Sequence, residues 1–205
     1  MKAFHWLRDD MTAGSGEEPA WKIGETRTIE GDLVLCERGY HHSPTLWDGL
    51  FYARGSMACV VDASEPAATD ETPNQRKRVS HSRTLVAAVN VERELRLFAC
   101  DCAERALQRE QDLGRTPDPR SWQAITTARN YAEGRATAQA MAAARDAAWA
   151  AARDAAWAAA WDAAWDAAWS AAWDAGGGVE IEWQREHFEQ TVTAKLLSEE
   201  KEVKG

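Results

Sequence analysis

The residues able to carry chemistry in this chain are five histidines, four cysteines and a run of tryptophans spaced four apart. His41 and His42 follow Cys36 closely, and imidazole and thiolate are both zinc ligands. Their spacing matches no metal-binding pattern and no second close pair of ligands follows, so no metal is expected. Cys100 and Cys102 are two apart in a segment of helical pattern and point to nearly opposite sides, which keeps them from sharing one ion. His81 stands between Ser80 and Ser82 without an acidic group to orient it, and reads as an exposed strand residue. Gly14-Ser15-Gly16 is too short to cradle phosphate and opens no helix, and neither a nucleophile elbow nor a His-Glu-x-x-His helix is present. Spacing alone therefore assigns no catalytic residue and no cofactor.

The tryptophans say more. Arg145, Trp149, Arg153, Trp157, Trp161, Trp165, Trp169 and Trp173 recur at every fourth position, and alanine fills most of the rest. An α-helix turns about 100° per residue, so a step of four overshoots one turn by roughly 40°. From Trp149 to Trp173 the large side chains then sweep roughly two-thirds of the way round a straight helix, and the winding is right-handed. Next to this stripe runs one made mostly of Asp, then two of nearly pure Ala, which allow close helix approach. Each indole buried against such a surface removes on the order of 150 to 250 Å² from water. Two readings follow. In one, the rings pack inside their own subunit, as aromatic stripes at helical spacing usually do. In the other, Trp149, Trp157, Trp161, Trp165, Trp169 and Trp173 bury against a second copy or another protein, since exposed aromatic area of that size rarely goes unused.

Charge narrows the choice of partner. The 205 residues carry a formal net charge of -9, which opposes the counterion-release binding of nucleic acid. The one dense basic run, Arg76-Lys77-Arg78, follows a stretch over 64–74 that begins acidic and contains Pro, Thr and Asn, and is expected in a solvated loop. The first ten residues break into charge before any long apolar core, so no signal peptide is read and the cytoplasm is the expected compartment. Cysteines there are expected to be reduced core residues. Asp146, Asp154, Asp162, Asp166 and Asp174 make the alanine-rich segment a poor membrane span and oppose anionic lipid, so no membrane partner is expected.

These residues need elements to hold them. The expected fold class is α+β: a small mixed unit over residues 1–90, then an all-helical region over 91–205 with one long Ala/Trp-repeat helix at about 137–175. Two-residue alternation predicts strands at Lys2 to Trp6, Glu25 to Ile29, Leu33 to Cys36, Met57 to Ala63 and Val79 to Val89. A helix is expected after Ser43 and Pro44, with Ser43 as its cap and Gly55 as its stop. From Val91 the period becomes helical. Helices are read from Val91 to Leu113, from Asp118-Pro119 to near Gly134, from Thr137 to Ala175, and from Glu180 to Glu200 with Ile181, Phe188, Val192 and Leu196 on one side.

Residues 1–95 resemble an uncharacterised family of bacteria and their phages. The likeness is carried by Ile23-Gly24-Glu25-Thr26 and by Glu30-Gly31 through Cys36-Glu37-Arg38-Gly39-Tyr40-His41-His42-Ser43, with His42 where that family has Ala. The helical part, through Leu95 to Arg105, Pro117-Asp118-Pro119-Arg120-Ser121 and Tyr131-Ala132-Glu133-Gly134, is similar to immunity-protein helices that end in alanine-rich repeats. That likeness implies a protein partner and no catalysis. A second resemblance is to ADP-ribosyltransferases, which grip a nicotinamide nucleotide. It places those roles on His5, on Gly39, Tyr40 and Ser43, and on Tyr52, but supplies no counterpart for the family's later glutamate. The expectation is thus a non-enzymatic binding or self-assembling protein of phage or bacterial-conflict origin. The alternative is a nucleotide-binding or nucleotide-sequestering pocket around His5, Tyr40, His42, Ser43 and Tyr52.

Overall fold

The computed structural model describes residues 1–13, 18–161 and 179–204, and side chains other than those of residue 149, 151–161 and 202–204. Among the described residues, seven strands in two antiparallel sheets, with helices, make this an α+β protein. The strands are β1 (Lys2–Leu7), β2 (Thr26–Thr28), β3 (Tyr40–His42), β4 (Met57–Ala63), β5 (Pro66–Asp70), β6 (Lys77–Ser80) and β7 (Ser82–Asn90). The helices are α1 (Leu46–Leu50), α2 (Glu92–Asp112), α3 (Pro119–Ala132), α4 (Ala138–Trp161), α5 (residues 179–188) and α6 (Ala194–Lys204), with a π turn over Glu189–Thr193. Among the described residues no helix is long and apolar enough to cross a membrane.

Contacts divide the chain into two compact units, Met1–Glu92 with Phe188–Gly205, and Arg93–His187. In the first, one sheet has the order β1-β4-β7-β2 and the other β3-β6-β5. β4 is central and reads as a nearly unbroken apolar run because both of its faces are covered. Cys59 and Val61 join Ala3, Leu7, Trp21 and Leu85 in one cluster. Ala58 and Val60, pointing the other way, are also buried, and α6 lies against β4 and β7. Each large apolar side chain so enclosed contributes about 1.5–3 kcal/mol relative to exposure.

Several expectations are corrected here. The segment Leu33 to Cys36 is a tight turn and not a strand: Val34 bridges Arg38, and Cys36 has a left-handed φ of 72°. The Arg38 guanidinium folds back onto the carbonyls of Glu30 and Asp32, which compete for the hydrogen bonds a strand would need. The run Val79 to Val89 breaks at His81 into β6 and β7, which belong to different sheets. His81 is exposed at that bend, with Nδ1 3.0 Å from the Ile29 carbonyl. Part of the expected loop over 64–74 is strand β5, paired with β6, so Lys77 and Arg78 sit on a strand. α1 is capped by Thr45, whose hydroxyl accepts from the Asp48 N–H at 3.1 Å, and it ends at Leu50. Cys36 is exposed, whereas Cys59 and Cys100 are buried; burial pushes the Cys59 thiol up to about 12.

The last helix was expected to belong wholly to the helical region, but from Phe188 onward it groups with the N-terminal unit. Phe188, Val192 and Leu196 are fully buried, and Phe188 meets Trp47 edge-on at 5.4 Å. Residues four apart drift round an α-helix by roughly 40° per step. A π turn rotates less per residue, so passing through one between Phe188 and Leu196 cancels most of that drift and keeps the three side chains in line.

In the second unit α3 starts where the sequence indicates, with the Asp118 carboxylate accepting from the Arg120 N–H at 2.8 Å and Pro119 in the first turn. α3 packs against α4. Arg129 on α3 pairs with Asp101 on α2 at 2.7 Å and also with Glu104, while Arg105 and Arg109 on α2 hold Glu180 of α5 at 3.0 and 2.7 Å. The described part of the core is thin: α3 has no fully buried residue, and α2 has only Cys100. The expected repeat helix is described as far as Trp161, and residues 162–175 lie outside the described residues.

Candidate functional site

Two concave places among the described residues bear on the expected sites. The first is a small cavity in the N-terminal unit, lined by His5, His41, His42, Ser43, Tyr52 and Lys77 and walled by Trp6 and Gly49. Backbone pairing creates it. Phe4 and Ser43 exchange N–H···O bonds of 2.9 and 2.8 Å, which draws the residue after β3 onto the edge of β1. The Trp6 indole N–H donates to the Leu46 carbonyl at 3.2 Å and ties α1 to the same strand. Across the opening, the Tyr52 hydroxyl donates to the Gln75 carbonyl at 2.9 Å. Lys77 Nζ lies 4.1 Å from the centre of the Tyr52 ring and donates to Cys36 Sγ at 2.9 Å.

The hydrogen bonds fix one tautomer. Ser80 Oγ donates its single hydrogen to the Ser64 carbonyl at 2.8 Å, so at 2.9 Å from His42 Nε2 it can only accept. His42 therefore carries its proton on Nε2. Burial, then the charges of Arg83, Arg78 and His41, push His42 down to about 4, so the ring is neutral at pH 7 and Nδ1 is a bare acceptor. This Nδ1 and His5 Nε2 are buried without a hydrogen-bond partner. His5 is held well below its ordinary range, by burial first and then by Arg83. His41 is engaged differently, since its Nε2 accepts the Cys36 N–H at 2.8 Å. Burial also lowers Arg83, to about 10; it is 3% exposed and donates to the His41 carbonyl. Among the described residues no carboxylate lies within ion-pair distance of Arg83.

Of the five pocket residues expected from the sequence, His5, His42, Ser43 and Tyr52 converge. Tyr40 does not: its ring meets Trp21 edge-on at 5.7 Å, and the Arg83 guanidinium lies 5.5 Å from its centre. Ser43 was expected to cap α1; the bridge to Phe4 claims its backbone instead, and its side chain lines the cavity. Lys77, Gly49 and Trp6 escaped sequence reasoning. A β-type alternation around the buried Val79 was the available signal for Lys77. The cavity measures about 50 Å³, whereas sites for nucleotide-sized ligands span roughly 300 Å³ or more.

Gly39 immediately precedes β3, which carries His41 and His42. Its φ of 122° suits glycine alone, and a Cβ there would lie 2.5 Å from Val79 Cγ2 and 3.1 Å from Leu33 Cδ2. Gly39→Ala is expected to destabilise the protein by about 2 kcal/mol, read as a lowered thermal midpoint. An unchanged midpoint would show that the turn over 33–39 does not constrain the site.

The second place is an apolar groove of about 490 Å³ in the helical unit. Ala99 and Ala103 of α2, Ala124 and Ala128 of α3 and Ala148 of α4 form its floor, with Ile125 and Met141 beside them and Arg96 and Arg145 among its lining residues. The Arg145 side chain is 65% exposed. Helical spacing aligns these alanines, and their small side chains leave the width between helices that larger residues would fill. The tryptophans expected to bind lie close by in sequence. Trp149, Trp157 and Trp161 are on α4 but their side chains are outside the described set, and Trp165, Trp169 and Trp173 lie outside the described residues. No family model, curated protein or solved structure matches the chain.

Proposed function

We propose that this is a non-enzymatic binding protein that self-associates, the tryptophans of one copy's repeat entering the alanine-floored groove of another. The observation that carries the reading is the groove itself, about 490 Å³, formed by the same helical unit that bears the repeat. Charge is complementary as well. Trp161, Trp165 and Trp173 are each followed by Asp, while Arg96 and Arg145 are the charged residues of the groove. An indole on the alanine floor would therefore bring a carboxylate towards a guanidinium. The unbroken four-residue spacing favours one continuous repeat helix over about 137–175, long enough to reach a neighbour. The resemblance of α2 and α3 to immunity-protein helices, and of residues 1–95 to the phage and bacterial family, supports binding as the mode of action and a conflict-related origin. The head cavity is too small for a nucleotide, which favours this reading over an ADP-ribosyltransferase-like one.

Light scattering tests it. The purified chain is expected to exceed the monomer mass, and a variant with Trp157, Trp161 and Trp165 changed to Ala is expected to be monomeric with its helical circular-dichroism signal retained. A monomeric parent chain, or a variant that merely unfolds, would overturn the proposal.

A further inference from the structure

The head cavity holds a polar arrangement that self-association does not use. His42 is 2% exposed, and its Nδ1 lone pair, oriented by the Ser64–Ser80–His42 chain of hydrogen bonds, has no donor facing it. Buried polar atoms without partners are rare because each forfeits its bond to water, so a residue that carries one and lines a cavity, as His42 does, points to a species held there. The chemistry of the walls defines that species. Ser43 Oγ lines the space, and His5 Nε2 is a second ring nitrogen left without a partner. Lys77 contributes an ammonium with two hydrogens beyond the one given to Cys36. No carboxylate lines the cavity, and the buried Arg83 cation stands behind the three imidazoles. The ligand must hence be anionic to suit Lys77 and Arg83, carry a hydrogen to give to His42 Nδ1, and fit a space of about 50 Å³.

We infer that the cavity binds one protonated tetrahedral oxyanion, the free hydrogen phosphate ion, whose hydroxyl donates to His42 Nδ1 while its oxygens accept from Lys77 and Ser43. A neutral acceptor aimed at the anion discriminates. Phosphate at pH 7 retains a hydrogen for it, but sulfate has none and would meet the lone pair with its own, as two unpaired acceptors. The inference is independent of self-association, because none of these residues belongs to the groove.

Isothermal titration of the full chain at pH 7 with inorganic phosphate, sulfate and phosphoserine tests it. Inorganic phosphate is expected to bind at least about tenfold more tightly than sulfate, and more tightly than phosphoserine, whose monoester titrates at about 6 and has largely lost its last hydrogen at pH 7. Preference for phosphoserine over inorganic phosphate would overturn the inference, because the monoester has no hydrogen to offer His42 Nδ1. Lys77→Met, at the half-exposed mouth, is expected to weaken binding by about tenfold with the circular-dichroism spectrum unchanged. As a readout that does not depend on a variant folding, the His42 Nδ1 resonance in nitrogen-15 spectra is expected to move when phosphate is added. Equal affinity for sulfate and phosphate, no heat with inorganic phosphate, or an unmoved His42 resonance would each overturn the inference.

Discussion

Arg76→Ala is expected to cost about 3 kcal/mol of folding free energy, although Arg76 is the more exposed member of its ion pair. Its partner Asp48 is the buried one, with 1% of the side chain accessible against 38% for Arg76. The Asp48 carboxylate accepts from Arg76 Nη2 at 2.9 Å, from Arg76 Nε at 3.1 Å and from the Thr45 hydroxyl at 2.6 Å. The pairing raises Arg76 above its ordinary range, through the hydrogen bond to Asp48 foremost. Taking away the guanidinium leaves a carboxylate enclosed in protein with only the Thr45 hydroxyl and the Arg76 N–H to satisfy it, and an uncompensated buried charge is the costly case. Asp48→Asn is expected to cost less, because the guanidinium it releases can turn to water. The loss should reach the site too. Residues 74–76 are fastened to α1 by Trp47 Nε1 donating to Asn74 Oδ1 at 3.0 Å and by Tyr52 donating to Gln75, and the next residue is Lys77. Urea denaturation of the two variants measures the order; a cost for Asp48→Asn equal to or above that for Arg76→Ala would contradict the argument.

Mild acid should destabilise the protein well before its carboxylates titrate. In the unfolded chain His42 takes up a proton near its ordinary value of 6.5, but in the fold only near 4. Between these values the unfolded state binds more protons, so the His42 contribution to stability falls as pH falls from 6.5 towards 4 and is level outside that window. The full contribution from His42 is about 3 kcal/mol, present above 6.5 and lost by the time pH reaches about 4. His5 and His41, also lowered by burial and by Arg83, act in the same direction. Asp9, Asp10, Glu25 and Asp70 are held below the usual carboxylate range by hydrogen bonds, so their losses come at lower pH. Denaturant midpoints at pH 7 and at pH 5 separate the two groups. Equal midpoints would mean that the imidazoles are not enclosed as described.

Much of the helical part was legible in the letters. Asp118 followed by Pro119, Gly114 after α2 and the shift of period at Val91 are local signals, and a helix depends on bonds four residues apart that such signals govern. The first unit was less so. Met57 to Ala63 was read correctly as a strand because it is central and apolar on both faces. The run through His81 was not divided, because nothing local distinguishes a strand that continues from one that changes sheets. Leu33 to Cys36 carries β-branched and apolar residues suited to a strand, yet the Arg38 guanidinium, binding carbonyls six and eight residues back, holds it in a turn. The same limit applies to the cavity. His5, His42, Ser43 and Tyr52 could be named from the sequence as candidates for one pocket, but Lys77 arrives only through the pairing of β6 with β3 and β5.

By itself, then, the sequence determined the α+β class, the helices of the described part of the second half, the net acidity and the four-residue tryptophan spacing, all of which follow from composition or from contacts within a turn or two. Only the tertiary structure decided that Tyr40 packs against Trp21, that His42 carries its proton on Nε2, that the last helix joins the first unit and that alanines from three helices form one groove. Each of these rests on partners far apart in the chain, whose meeting is set by burial and hydrogen-bond satisfaction across elements and not by the period of any one of them.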